Sequence, residues 1–74
     1  MIMVKINGKE ENIEEATILD ILKSKNIEPQ MVAVELNSKI LEKDEFAITK
    51  VKDGDNIELL FFMGGGERDE MQLK

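Results

Sequence analysis

Ile2-Met3-Val4-Lys5-Ile6-Asn7-Gly8 opens the chain with a strand and a tight turn. Ile2, Val4 and Ile6 alternate with Met3, Lys5 and Asn7, the period of two that marks a half-buried strand. Asn7-Gly8 follows, the strongest two-residue hairpin signal, because both residue types tolerate positive φ. A second strand is expected from Lys9 to about Ile13, which gives an opening β-hairpin. The next segment carries both ends of a helix. Thr17 can cap its start, with Asp20 three residues on facing the exposed backbone N–H groups. Ile18, Ile21 and Leu22, with Leu19 beside them, form an apolar stripe at helical spacing. Lys23 and Lys25 sit where the carbonyl end favours cations. Asn26 suits a left-handed cap, and Pro29 forbids continuation.

Working onward, Val32, Val34 and Leu36 form a third strand, with Ala33 and Glu35 on its other face. Asn37-Ser38 turns the chain into a short strand ending near Ile40-Leu41. The charged stretch from Glu42 to Lys52 is expected to be anchored to the core by Phe46, Ile48 and Val51. Lys52-Asp53-Gly54-Asp55 reads as a turn, and Ile57 to about Phe62 is the most apolar strand. No internal repeat or second domain is visible. This order predicts an α+β fold: one helix packed across a four- to five-stranded mixed sheet. It resembles the β-grasp (ubiquitin-like) arrangement, in which the first and last strands lie parallel at the centre and the helix supplies the crossover.

Composition narrows the chemistry. Seventy-four residues allow one compact domain, with stability of roughly 4–11 kcal/mol at typical per-residue values. There is no Cys and no His, which removes a thiolate nucleophile, an imidazole base and the common Cys/His zinc site. The 16 Asp and Glu residues leave paired carboxylates possible, but a domain this small offers no deep cleft for a stand-alone enzyme. A net charge of −6 argues against nucleic-acid and anionic-membrane binding. It fits either simple solubility or a partner with a basic face. The apolar run at the N-terminus is too short for a signal peptide or membrane span, and no later run is long enough. A cytoplasmic protein is the expectation. Glu10, Glu11, Glu14 and Glu15 read as a solvated face without a site role.

Gly64-Gly65-Gly66 directly follows the last strand. Three glycines in a row hold neither strand nor helix, because each gives up the most backbone entropy on ordering. One reading is a flexible linker. A phosphate-cradling loop is a poor fit, since Glu67-Arg68-Asp69-Glu70 follows in place of Lys and Ser or Thr. The remaining reading is a slim terminus that threads into a partner's channel. Three extended residues span about 10 Å, enough to project a carboxylate beyond the body. A carboxylate so presented can attack the α-phosphate of ATP held by a partner, and sulfur transfer to the resulting acyl-adenylate gives a thiocarboxylate. Such a chain needs no catalytic side chain, in keeping with its lack of Cys and His.

Asp53-Gly54-Asp55, Ile57-Glu58-Leu59, an aromatic pair and a glycine run, in that order, closely resemble the ThiS-like sulfur carriers of thiamine biosynthesis. Val32-Ala33-Val34-Glu35-Leu36-Asn37 is similar to that family's central hairpin strand. The resemblance covers residues 1–66. It implies a carrier rather than an enzyme, binding no cofactor of its own and using the ATP of an adenylating (E1-like) partner. It further implies sulfur supplied through a donor or desulfurase and discharge to a thiazole synthase. Gly66 would bear the adenylate and then the thiocarboxylate, with Gly64 and Gly65 completing the terminal motif. Ile57, Leu59 and Phe61 are expected to face the core. Leu60 and Phe62 lie on the opposite face, where partner docking, together with Met63, competes with burial under a loop.

The chain departs from the family by continuing with Glu67-Arg68-Asp69-Glu70-Met71-Gln72-Leu73-Lys74. While those residues remain, Gly66 carries an amide and cannot be adenylated. Residues 67–74 are therefore expected to form a flexible extension, too short for a stable isolated helix, that a processing protease removes. Two other readings stay open on sequence. One is a carrier for another sulfur pathway (molybdopterin, cysteine or a natural product). The other is a non-covalent β-grasp interaction module.

Overall fold

The computed structural model describes residues 1–62. Within them β1 (Ile2–Ile6) and β2 (Lys9–Ile13) form the opening hairpin, in a register that puts Ile6 opposite Lys9 and Ile2 opposite Ile13. Asn7 and Gly8 both take positive φ, at 51° and 84°, the conformation that matches a two-residue turn to the twist of its strands. α1 (Ile18–Ser24) follows. The chain then passes through a 3₁₀ turn at Pro29–Met31 into β3 (Val32–Leu36), β4 (Lys39–Ile40), a second 3₁₀ turn at Lys43–Glu45, and β5 (Asn56–Phe61). The five strands form one mixed sheet in the order β2-β1-β5-β3-β4. β1 and β5 run parallel at its centre, as the β-grasp arrangement implies, and every other pairing is antiparallel.

The helix begins where Thr17 and Asp20 close a reciprocal capping box. The Asp20 N–H donates to Thr17 Oγ1 at 3.1 Å, and the Thr17 N–H donates to Asp20 Oδ2 at 3.2 Å. Two further first-turn donors are taken by the segment before β5. The Ile18 N–H donates to the Thr49 carbonyl at 3.0 Å and the Leu19 N–H to the Phe46 carbonyl at 2.9 Å. The long charged connection is thus held to the helix start by main-chain bonds, satisfying groups that any helix leaves unpaired. Asn26, at φ 60°, ends the helix in the left-handed conformation.

Ile18, Ile21 and Leu22 from the helix meet Val4, Ile6, Val32, Val34, Ile57 and Leu59 from one sheet face, and Leu41, Phe46 and Val51 close the sides. Burying an aliphatic or aromatic side chain of this size contributes about 1.5–3 kcal/mol, so this cluster dominates the stability of the domain. Ile48 does not join it. It is 77% exposed, because residues 45–49 form a helical turn in which the Ile48 and Thr49 N–H groups both donate to the Glu45 carbonyl. Two residues along such a turn is more than half a revolution, so Ile48 points outward while Phe46 points in. The solvated acidic face also holds one partnered member: Glu11 pairs with Lys25 at 3.1 Å, linking β2 to the helix end.

Candidate functional site

The Asp53-Gly54-Asp55 motif builds the start of the last strand. The Met3 N–H donates to Asp53 Oδ1 at 2.8 Å, and the Gly54 N–H donates back to the Met3 carbonyl at 2.7 Å. Gly54 adopts φ 90°, which favours glycine. Asp55 uses both carboxylate oxygens. One accepts from the Lys52 N–H at 2.7 Å and closes the turn; the other accepts from the Asn37 amide at 2.9 Å. Asn37 Oδ1 in turn accepts from the Asn56 N–H at 2.9 Å. These acidic residues organise main chain.

Asn7 has a second role beyond its turn. The Leu59 N–H donates to Asn7 Oδ1 at 2.7 Å, and Asn7 Nδ2 donates to the Leu59 carbonyl at 3.4 Å. The β1–β5 ladder pairs Lys5 with Asn56 and Ile6 with Ile57, and the Asn7 N–H then donates to the Ile57 carbonyl at 2.9 Å. The Asn7 carboxamide therefore stands in for the next rung of strand β1. No local spacing connects Asn7 to a partner 52 positions away, so the sequence marks it only as a turn residue.

Beyond Leu59 the strand outruns β1. The β3–β5 ladder continues through Leu60 opposite Ala33 and Phe61 opposite Val32, and the Phe62 N–H donates to the Met31 carbonyl at 3.0 Å. Ile57 and Leu59 are buried as expected, but Phe61 is 55% exposed, which corrects its assignment to the core. The reason is geometric: β1 has already turned at Asn7, level with Leu59, so Phe61 overhangs the packed face. Leu60 and Phe62 are 48% and 52% exposed, so neither is buried under a loop. Met31 is exposed beside them. Phe62 also lies against Lys43, whose ammonium stands 5.6 Å from the Phe62 ring centre and 5.8 Å from that of Phe46.

On the sheet face away from the helix, Leu60 lies opposite Ala33, and Glu35 lies opposite both Glu58 and Ile40. Ile40 is well exposed. This is an apolar surface broken by carboxylates. Glu35 facing Glu58 is a like-charge pair, an arrangement that destabilises a sheet. Among the described residues, one cleft of about 420 Å³ opens at Lys23, Asn26 and Glu28, one of about 360 Å³ lies between β2 and the helix, and one of about 300 Å³ sits beside the Gly54-Asp55 turn and reaches Asn56 at the start of β5. None of the three is lined by residues 57–62. Among the described residues no three Asp or Glu side chains gather as a metal site, and no helix is long and apolar enough to cross a membrane. Met63, Gly64, Gly65 and Gly66, with residues 67–74, lie outside the described residues.

Comparison with known proteins agrees with this geometry. A sulfur carrier protein ThiS from Bacillus subtilis is 36% identical over 66 residues, covering 86% of this chain and the whole of that one. A thiazole synthase from Paramagnetospirillum magneticum is 39% identical over 62 residues. The chain covers 82% of its own length in that match but only 19% of the synthase. A crystal structure of a thiamine biosynthesis protein (ThiS) from Geobacter metallireducens superposes with a TM-score of 0.75 at 38% identity, covering 88% of this chain and all of that one. A solution structure from the same organism gives 0.74 at 34% identity and covers 99% of each chain. The family match itself runs over residues 3–66, from the opening strand to the last glycine. The chain belongs to the ThiS family.

Proposed function

We propose that this chain is a sulfur carrier for thiazole formation in thiamine biosynthesis, and that its chemistry takes place at the main-chain carboxylate of Gly66. The observation that carries the reading is where the family match stops. It spans residues 3–66 and leaves the eight residues after Gly66 outside. We take residues 1–66 as the carrier and residues 67–74 as an extension that a protease removes. Among the described residues every buried core residue lies from Val4 to Leu59, within the part that trimming retains.

In the proposed sequence, a carboxylate oxygen of Gly66 attacks the α-phosphate of ATP in an activating enzyme and pyrophosphate leaves. The mixed anhydride makes the acyl carbon electrophilic. A sulfide equivalent from the sulfur donor adds there, AMP leaves, and the chain ends in a thiocarboxylate. A thiazole synthase then takes the sulfur. The chain acts as a co-substrate throughout, and its side chains hold and present the end. Leu60, Phe62 and Met63 would dock the partners. The like-charge Glu35–Glu58 pair would be relieved by a basic group on them. Similarity to a thiazole synthase favours this pathway over a molybdopterin, cysteine or natural-product route.

The test uses a chain ending at Gly66, ATP and the activating enzyme of the same cell. An adenylate, followed by a mass gain of one sulfur-for-oxygen exchange, is the expected result. A chain that exchanges no pyrophosphate with that enzyme contradicts the reading. So does a cell in which only the 74-residue form exists.

A further inference from the structure

We infer that Lys43 is a positioning residue that fixes the direction in which the C-terminal arm leaves the body. Lysine ammonium groups ordinarily extend into water as mobile point charges. This one is committed. Lys43 Nζ donates to the Pro29 carbonyl and to the Val32 carbonyl, each at 3.2 Å. The Val34 carbonyl, two residues further along the same edge of β3, is taken by the Leu41 N–H at 3.0 Å, where β4 begins to cover that edge. β4 is only two residues long, so Val32 lies past its reach, and Lys43 supplies the donor there.

The same ammonium faces the Phe62 ring at 5.6 Å and the buried Phe46 ring at 5.8 Å, both within cation–π range. Phe62 is the last described residue, two positions before the glycine run. Its main chain is tied to Met31 and its ring to Lys43, which is itself tied to the start of β3 and, through Phe46, to the core. Among the described residues, the final side-chain hold on the body is therefore this cation. Glycines cannot set their own course, so the exit angle must be fixed upstream of them. A fixed exit lowers the ordering cost of entering a partner's channel.

This inference rests on the carrier reading, and the test separates the two. In the 74-residue chain, Lys43→Met should speed exchange of the Phe62 amide hydrogen and shift the Phe62 ring resonances. The amides of Leu22 and Ile57 should keep their protection. In the chain ending at Gly66, the same substitution should raise the KM for the activating enzyme by about threefold to tenfold, the cost of ordering one side chain on binding. The kcat should hold, and Lys43→Arg should restore the wild-type KM, because a guanidinium can donate the same bonds and stack on the same ring. Unchanged Phe62 exchange in Lys43→Met overturns the inference. So does an unchanged KM, or a loss of protection that runs equally through the core. If the unsubstituted chain is not activated at all, the carrier reading has failed and the role of Lys43 falls with it.

Discussion

The two ends of β5 differ as scaffold and display. Over residues 56–59 the strand is bonded on both edges: to β3 throughout, and to β1 first by its ladder and then by the Asn7 carboxamide. Its inward side chains, Ile57 and Leu59, are buried. Over residues 60–62 only the β3 side remains paired, and Leu60, Phe61 and Phe62 are each about half exposed. One strand thus spends its first half holding the sheet together and its second half carrying apolar surface outward. Three large hydrophobic residues in sequence, left in water, are costly unless a partner covers them. The contrast separates what keeps this domain folded from what another protein can touch.

The largest effect that would sharpen the contrast is in the scaffold half. Ile57→Ala removes a side chain with no exposure and should cost about 2–5 kcal/mol in urea unfolding, while Phe62→Ala should stay within about 0.5 kcal/mol of wild type. Equal costs at the two positions would break the comparison. Next comes the Asn7 rung. Asn7→Gly keeps the positive φ of 51° but deletes the carboxamide, leaving the Leu59 N–H without its acceptor; about 1–3 kcal/mol should be lost. A neutral result would mean that β5 does not need the extra rung.

At the display end the readout changes from stability to partner engagement. Leu60→Asp should leave the unfolding midpoint close to wild type yet weaken activation of the Gly66-ended chain by about tenfold or more, since truncating or charging an interface anchor costs about 2 kcal/mol. Parallel losses of stability and activation would place Leu60 in the scaffold. The smallest effect concerns the facing carboxylates. Glu58→Gln removes a like-charge contact with Glu35 and should stabilise the free chain by about 0.2–1 kcal/mol, less at high salt, while lowering affinity for a basic partner.

Legibility in the sequence follows the reach of each interaction. The Thr17–Asp20 capping box, the Asn7-Gly8 and Asn37-Ser38 turns and the left-handed Asn26 were readable because each acts within a few residues. The central parallel pair of β1 and β5 followed from the β-grasp resemblance and its crossover helix, not from any single residue. What escaped depends on where distant segments stop relative to one another. Phe61 alternates correctly for burial, but β1 turns two residues too early to cover it. Ile48 is apolar in an anchored segment, yet a single helical turn points it outward. Lys43 looks like any charged surface residue until the short β4 leaves a carbonyl for it to bind. The glycine run lies outside the described residues, so its reading still rests on what glycine lacks.

The claim beneath all of this is that the molecule works through its own main-chain end. Intact-mass measurement of the chain ending at Gly66, incubated with ATP, a sulfur donor and the activating enzyme of its cell, tests it most directly. One oxygen should be exchanged for one sulfur, and fragmentation should place the change on Gly66. An unchanged mass, or a modification carried on any side chain within residues 1–62, would contradict it.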